Sequence, residues 1–356
     1  MTIDNSRGKH TISWGYSSLG NVIKVLSARH LSPAWDSLAE SYFQRRAFLL
    51  YSETYNPCHQ RYYELSDDRG FVAGACVYSL KLNLLTFANI KSRVRFQIVG
   101  IPASISWPGL TGDTFSIIEL LAGILDAERG MVLCLNLPPG LTARAAVSMR
   151  MLPTVLMRRF PGSWEGYLAS LRSSYRRRLR KITEAFEGIR KETGPCSGFD
   201  EAMFGLYLQV MARTTTKLEE LSLEYFRNLP PEFLLTTYRL DERVISWHIT
   251  VQEGPRLTFF YGGTDGAFIN DRHAYHNNIL GILRFAQERC CTEIDLGQTA
   301  EIAKTRMGGT LVEKSMLAYS RNPFVRGIFR LGKGLLQYNT RIPEAHVFKR
   351  PLRSGS

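Results

Sequence analysis

The sequence predicts an α/β protein built from two related halves. Three observations carry this. Strand-type runs with a period of two interleave with segments of helical spacing along the whole chain. A three-strand meander followed by a helix and a further strand occurs in each half. The run KETGPCSG (191–198) punctuates the chain between them, where a domain boundary is expected.

In the first half, SPAWDSLAESYFQRRAFLL (32–50) has a Ser-Pro start and helical spacing. RYYEL, FVAGACVYSL and VRFQIVG read as strands, DTFSIIELLAGILDAERG as a helix ending at Gly130, and MVLCLNL as the strand after it. PTVLMRRF then reads as a strand, and residues 161–188 as one long helix between Pro161 and Gly188. Its apolar stripe runs through Trp164, Leu168, Leu171, Tyr175, Leu179, Ile182 and Phe186.

The second half repeats the grammar. FDEAMFGLYLQVMARTTTK is a helix; EFLLTTYRL, RVISWHITV and RLTFFYGG are strands; RHAYHNNILGILRFAQERCC is a helix; TEIDLG is a strand; a short helix and the strand LVEKSMLAYS follow. SDDRGFVAGACVY and LDERVISWHITVQ each set an acidic-acidic-Arg turn between strands, a local echo that points to duplication.

Of 356 residues, 44% are hydrophobic and 22% charged, the balance of a globular protein with a sizeable core. Lys and Arg number 45 against 32 Asp and Glu, a net charge of +13 that attracts anions such as phosphate groups. The six cysteines form no CxxC pair, and with no secretory apolar region at the start a reducing cytoplasm is expected. SIIELLAGIL is too short to span a bilayer, so no transmembrane segment is expected. GxxxxGK[ST], GxSxG and HExxH are absent, and His273 and His276, three apart without further ligands, do not make a metal site.

Chemistry concentrates in the second half. In VISWHITV, Ile245, Trp247, Ile249 and Val251 share one face and Ser246, His248 and Thr250 the other, so His248 is either a base lining a cleft or a structural hydrogen-bond partner. Gly262 and Gly263 let backbone approach a ligand or satisfy a loop, and the helix starting near Arg272 offers amide groups to an anion. Asp295 projects opposite to Ile294 and Leu296, and Lys304 follows on a short helix, where it either grips a carboxylate or phosphate or lies at the surface. LRSSYRRRLRKI packs five arginines and a lysine into twelve residues; Arg172, Arg176 and Arg180 form a row at spacings of four, suited to a phosphate or to water.

Four segments resemble the GNAT-like acyltransferase domain of the FemAB and CelD-like group: SWEGYLASLRSSYRRRLRKITEAFEG, DERVISWHITVQEGPRLTFFYGGTD, AYHNNILGILRFAQERCC, and DLGQTAEIAKTRMGG running to the NP of SRNP. The resemblance covers about residues 160–323. It implies two tandem GNAT-like domains, each a central mixed, largely antiparallel sheet flanked by helices. The expected division is a degenerate domain over 1–160, a basic connecting helix over 161–190, the acyltransferase domain over 191–322 and a basic amphipathic tail over 323–356.

The resemblance further implies transfer of an acyl group to an amine of an envelope, polysaccharide or secondary-metabolite precursor. Acyl-CoA is the expected co-substrate, with no tightly bound cofactor; aminoacyl-tRNA is the alternative donor. His248, Tyr261 and Asp295 are expected to handle protons or orient groups, Lys304, Gln298, Arg172, Arg176 and Arg180 to bind substrate, and Gly262, Gly263 and Asn277 to bind the donor. Two departures stand out: the Arg/Gln-x-x-Gly-x-Gly/Ala pyrophosphate signature is missing before the helix at 272, and no helical hairpin is inserted after the long helix. A non-catalytic RNA- or membrane-binding protein and a degenerate partner subunit are the competing readings.

At the C-terminus, Phe324, Ile328, Leu331, Leu335 and Tyr338 form a helical stripe with Arg321, Arg326, Arg330 and Lys333 beside it. Such a helix more often docks on its own domain than touches an anionic membrane, so a cytoplasmic location is expected, with a position peripheral to the inner membrane as the alternative.

Overall fold

The computed structural model describes residues 9–12, 20–68, 70–85, 90–103, 105–158, 160–214 and 219–349. The chain divides into two compact units. The first comprises residues 1–152, 216–220 and 313–339, the second 153–215, 221–312 and 340–356.

The first unit contains β1 (Lys9–Ile12), β2 (Asn21–Val25), α1 (Arg46–Tyr55), β3 (Arg61–Asp67), β4 (Gly70–Leu85), β5 (Ile90–Val99), β6 (Leu110–Gly112), α2 (Thr114–Ala127) and β7 (Met131–Leu137). The chain leaves it within β8 (Val147–Arg158). The second unit adds α3 (Trp164–Ser170), α4 (Ser173–Glu184), β9 (Arg190–Pro195), α5 (Glu201–Arg213), α6 (Leu223–Arg227), β10 (Phe233–Leu240), β11 (Arg243–Glu253), β12 (Arg256–Thr264), α7 (Ala274–Glu288), β13 (Glu293–Asp295) and α8 (Glu301–Thr305). Through β14 (Thr310–Ser320) the chain returns to the first unit, which ends with α9 (Pro323–Leu331) and α10 (Lys333–Leu336).

The two units repeat one strand topology. In the first unit β2-β3-β4-β5 is an antiparallel meander, and β7 joins β5 in parallel after the α2 crossover. In the second, β10-β11-β12 is antiparallel and β13 joins β12 in parallel after α7. An antiparallel strand follows in each unit: β14 against β7, and β8 against β13. The acidic turns noted in the sequence fall on equivalent hairpins, closing between Asp67 and Gly70 and between Leu240 and Arg243.

Helix starts follow local chemistry. The Asp113 carboxylate accepts from the amides of Phe115 and Ser116, and Asp200 accepts from Met203, so α2 and α5 begin where a side chain satisfies otherwise orphaned amides. Leu120, Leu121, Ile124 and Leu125 of α2 then pack with Val77, Val99 and Val132. Beside them the buried Glu128 takes hydrogen bonds from Arg61 Nε at 2.6 Å and from the Tyr63 hydroxyl.

Four segments depart from the sequence expectation. The run 191–198, read as the boundary between the halves, lies inside the second unit, where β9 pairs with β10. Residues 32–50 are not one helix: short 3₁₀ turns occupy 33–38 and 42–44, and α1 starts only at Arg46. The long helix of 161–188 breaks into α3 and α4. Leu171 is extended (φ −71°, ψ 145°) and fully buried, it bridges Phe348, and the Arg172 amide donates to the Val347 carbonyl at 2.9 Å. The spacing of Leu168, Leu171 and Tyr175 persists across the break, and neither Gly nor Pro marks it, so periodicity alone could not reveal it. In α9 the inward residue is Phe329, whereas Phe324, Ile328, Leu331 and Leu335 of the expected stripe face solvent. The expected extension of α5 through Lys217 lies outside the described residues beyond Thr214.

Candidate functional site

In the second unit both faces of β11 are covered. Trp247 donates its indole N–H to the Met203 carbonyl of α5 at 2.8 Å and packs edge-on against Phe199, while its alternate neighbours Ser246 and His248 meet α7. A Cβ at Gly263 would overlap the Trp247 indole, and one at Gly262 would crowd the Phe259 ring; these glycines make room for aromatic packing within the sheet.

The β12 strand carries the feature that shapes the site. Its register with β11 shifts between the pairs Ile249–Tyr261 and Thr250–Phe259, so Phe260 is the extra residue of a bulge. On the other edge, the parallel ladder to β13 holds only the pairs Arg256–Glu293, Leu257–Ile294 and Thr258–Asp295. Beyond Thr258, β12 runs on to Thr264 with no second strand on that edge among the described residues. The strands part there, and main-chain polar groups of β12 face the opening.

At the parting point the buried Asp295 accepts from the Gly297 amide at 2.8 Å and from the Thr154 hydroxyl at 3.1 Å, which fixes the turn out of β13. Gly297, Thr299 and Ala300 all have positive φ (70°, 62° and 49°). For the β-branched Thr299 this is a strained conformation, of the kind held where surrounding structure over-determines it. The strained turn delivers Lys304, buried at 1% exposure, with Nζ donating to the Gln298 carbonyl at 2.7 Å and lying over the Phe259 ring. Burial lowers the ammonium pKa to about 8, against the opposing pull of Asp295 and Glu301. Asp295, Gln298 and Lys304 are therefore brought together, with Lys304 buried rather than at the surface.

The other expected site residues lie apart from this group. His248 is wholly buried under α7 and hydrogen-bonds Asn278 at 2.5 Å; burial holds its pKa down to about 3, so the ring is neutral. Its Nε2 has no partner, and neither does the nearby Tyr238 hydroxyl, for which Gly281 of α7 leaves room. Tyr261 points to the opposite face of the sheet, against Tyr207 of α5 and Phe226 of α6. Asn277 uses its side chain on the carbonyls of Ile182, Arg272 and His273, so in this structure it joins α7 to α4.

Of the arginine row, Arg172 is the N-cap of α4 and donates through Nε to the Phe348 carbonyl at 3.2 Å. Arg176 is half-buried, and Arg180 is exposed. A further polar group gathers at the start of α7, the helix whose first amides the sequence offers to an anion. His276 has a buried Nδ1 without a partner, and its pKa is lowered to about 4 by burial and by the charges of Arg178, His273 and Arg306. His273 caps α7 in the left-handed conformation (φ 49°) and makes no side-chain cap hydrogen bond. Helix N-terminus and cations together favour an anion. The helix start and the three-residue spacing of the two histidines are legible in the sequence; the approach of Arg178 and Arg306 is not.

Residues 169–305 match the model of the acetyltransferase (GNAT) domain. No curated protein matches the sequence. Among solved structures the chain is similar to FemX, at 12% identity and a TM-score of 0.51 over 87% of this chain and 99% of that one. It is also similar to the C-terminal DUF2156 domain of a protein from Agrobacterium fabrum provisionally assigned as a lysylphosphatidylglycerol synthetase, at 11% identity and a TM-score of 0.50 over 85% and 95%. A conserved protein of unknown function from Bacteroides thetaiotaomicron is similar at 11% identity and a TM-score of 0.50 over 78% and 90%. The fold is thus α/β, with two units of mixed, largely antiparallel strands flanked by helices, and residues 169–305 are similar to an acetyltransferase (GNAT) domain.

Proposed function

We propose that the chain is an N-acyltransferase whose reaction centre lies in the second unit, where β13 turns away from β12. The parting of these parallel strands after three residue pairs carries the reading. It opens a slot lined by main-chain groups of β12 in which an acyl donor can lie extended, as an added strand would. The acyl carbonyl then faces amides held rigidly by the β11 ladder, where charge develops on the oxygen during attack.

In the reaction a neutral amine attacks the acyl carbon. The carbonyl π electrons move to oxygen, and the tetrahedral adduct collapses, expelling thiolate if the donor is a thioester. The amine loses one proton, which water or the thiolate takes up. Lys304, a cation in a dry setting below about pH 8, suits an anionic group on substrate or donor. The start of α7, with Arg178 and Arg306 beside it, offers a place for donor phosphates where the usual glycine signature is missing. Acyl-CoA is therefore the favoured donor, and the acceptor is an amino group on an envelope, polysaccharide or secondary-metabolite precursor.

A second reading, aminoacyl-tRNA as donor, is favoured by the exposed cations of α4: Arg177, Arg178, Arg180 and Lys181 present charge well beyond what a pyrophosphate needs. The deciding experiment incubates the purified chain with a panel of acyl-CoAs and amines, reading free thiol, and separately with labelled aminoacyl-tRNAs, reading transfer of label. Thiol release selects the first donor and label transfer the second. Silence in both arms, with the protein folded, refutes the acyltransferase reading.

A further inference from the structure

The exposed side of α9 and α10 carries a second apolar ridge, distinct from the one that docks. Phe329 is buried, and Val325 and Leu336 pack beside it against Tyr78, Ile98 and Met149 of the first unit. With that docking complete, Phe324 is still 75% exposed, Leu331 92% and Leu335 64%, with Ile328 between them. At about 100° per residue, Phe324, Ile328 and Leu331 fall within about 60° of one another on the helix, well away from Phe329. Large apolar side chains grouped so and left in water mark a surface that meets something.

The charges choose the partner. From residue 314 to 339 the chain holds Lys314, Arg321, Arg326, Arg330 and Lys333 and no acidic residue. Arg321, Arg330 and Lys333 are exposed beside the ridge, whereas Arg326 is half-buried and spends Nη1 on the carbonyls of Ser320 and Arg321. A second copy of the chain meeting this face about a two-fold axis would set the same cations against one another. An anionic surface with an apolar interior complements both features at once. No helix among the described residues is long and apolar enough to cross a membrane, so the contact is one of lying on the surface.

We propose that α9 and α10 seat the protein on an anionic phospholipid bilayer, with Phe324, Ile328, Leu331 and Leu335 entering the headgroup boundary and Arg321, Arg330 and Lys333 meeting lipid phosphates. This does not rest on the acyltransferase reading, because none of these residues belongs to the site in the second unit.

The test is cosedimentation of the full chain with vesicles of phosphatidylglycerol and phosphatidylcholine, and with phosphatidylcholine alone. Binding is expected to the anionic vesicles, weakening as salt rises. Replacing Phe324, Leu331 and Leu335 together by Ser should lower partitioning at least tenfold. Arg330→Gln with Lys333→Gln should remove most of the preference for anionic lipid. Leu331→Glu, at the most exposed position, is a second variant that leaves the fold undisturbed and should act in the same direction. Native protein that ignores anionic vesicles, or variants that bind as well as native, would overturn the proposal. So would a concentration-dependent dimer, seen by sedimentation velocity without vesicle binding and lost in the triple variant, because it would assign the ridge to self-association.

Discussion

Asn278 sets the tautomer of His248. Its Nδ2 donates to the Trp247 carbonyl and the Ser246 hydroxyl, each at 2.8 Å, so its Oδ1 is the atom turned to His248, and the imidazole must carry its proton on Nδ1. Asn278→Leu would leave the Nδ1 proton and the Trp247 carbonyl buried without those partners. A loss of about 2–4 kcal/mol in unfolding free energy is expected, read by denaturant titration. Asn278→Asp puts a carboxylate on the same proton, so the ring pKa should rise from its value of about 3, visible as an NMR titration moved toward neutral pH.

The same burial makes stability depend on pH. The His248 ring takes its proton near 6.5 in the unfolded chain and only near 3 in the folded one. Between those values the unfolded state binds more protons, so stability falls as pH is lowered from about 6.5 and the loss is complete below about 3, on the order of 5 kcal/mol in all. Glu128 acts in a lower window. Burial would raise its pKa, but hydrogen bonds from Arg61 and Tyr63 and the charges of Arg61 and Lys24 outweigh it, leaving a contribution present above the usual carboxylate pKa and lost below it. Between pH 6.5 and 5 a His248→Gln variant should therefore show a flatter stability profile than native, whereas Glu128→Gln should not flatten that range. Chemical denaturation at a series of pH values checks both.

These groups show what could be read from sequence and what could not. The alternation of β11 was legible, because Ile245, Trp247 and Ile249 do share a face. The fate of the polar face was not, since its partner Asn278 stands thirty residues away on α7 and only folding joins them. The face that Tyr261 takes was not legible either, for a simple reason. The bulge at Phe260 inserts one residue, and each residue past it changes face relative to an unbroken strand. The loop from Asp295 to Lys304 was legible as a polar cluster, but its strained backbone and the depth of Lys304 come from packing against Phe259, which spacing does not encode.

Lys304 is expected to separate stability from function. Its folded pKa of about 8 lies below the ordinary 10.5, so the unfolded chain binds the extra proton between those values, and stability should rise with pH over that range. At pH 7 the buried charge is a cost, and Lys304→Met should leave the melting temperature unchanged or raise it by a few degrees. Acyl transfer, measured in the assay that establishes it, should fall by about 100-fold in kcat/KM, a loss of about 2.7 kcal/mol in transition-state stabilisation. In the native protein, activity that needs the cation should decline as pH passes upward through about 8. A Lys304→Met variant that keeps full activity would remove the lysine from the site.

The arginine row can be divided by position. Arg172 is committed to the α4 cap and to the Phe348 carbonyl, so its replacement mixes structural loss with any loss of binding. Arg176 and Arg180 carry no such cap, and both lie on one side of α4 at a spacing of four. Arg176→Gln with Arg180→Gln should leave the melting temperature within about 2 °C of native, because Arg180 is exposed and the half-buried Arg176 caps nothing. If the row binds a phosphate of donor or acceptor, KM for that substrate should rise about tenfold, with kcat little changed, and the native dependence of KM on salt should flatten. An unchanged KM at low salt would show that these arginines do no more than hydrate the helix, and would leave Arg178 and Arg306 as the cations to replace next.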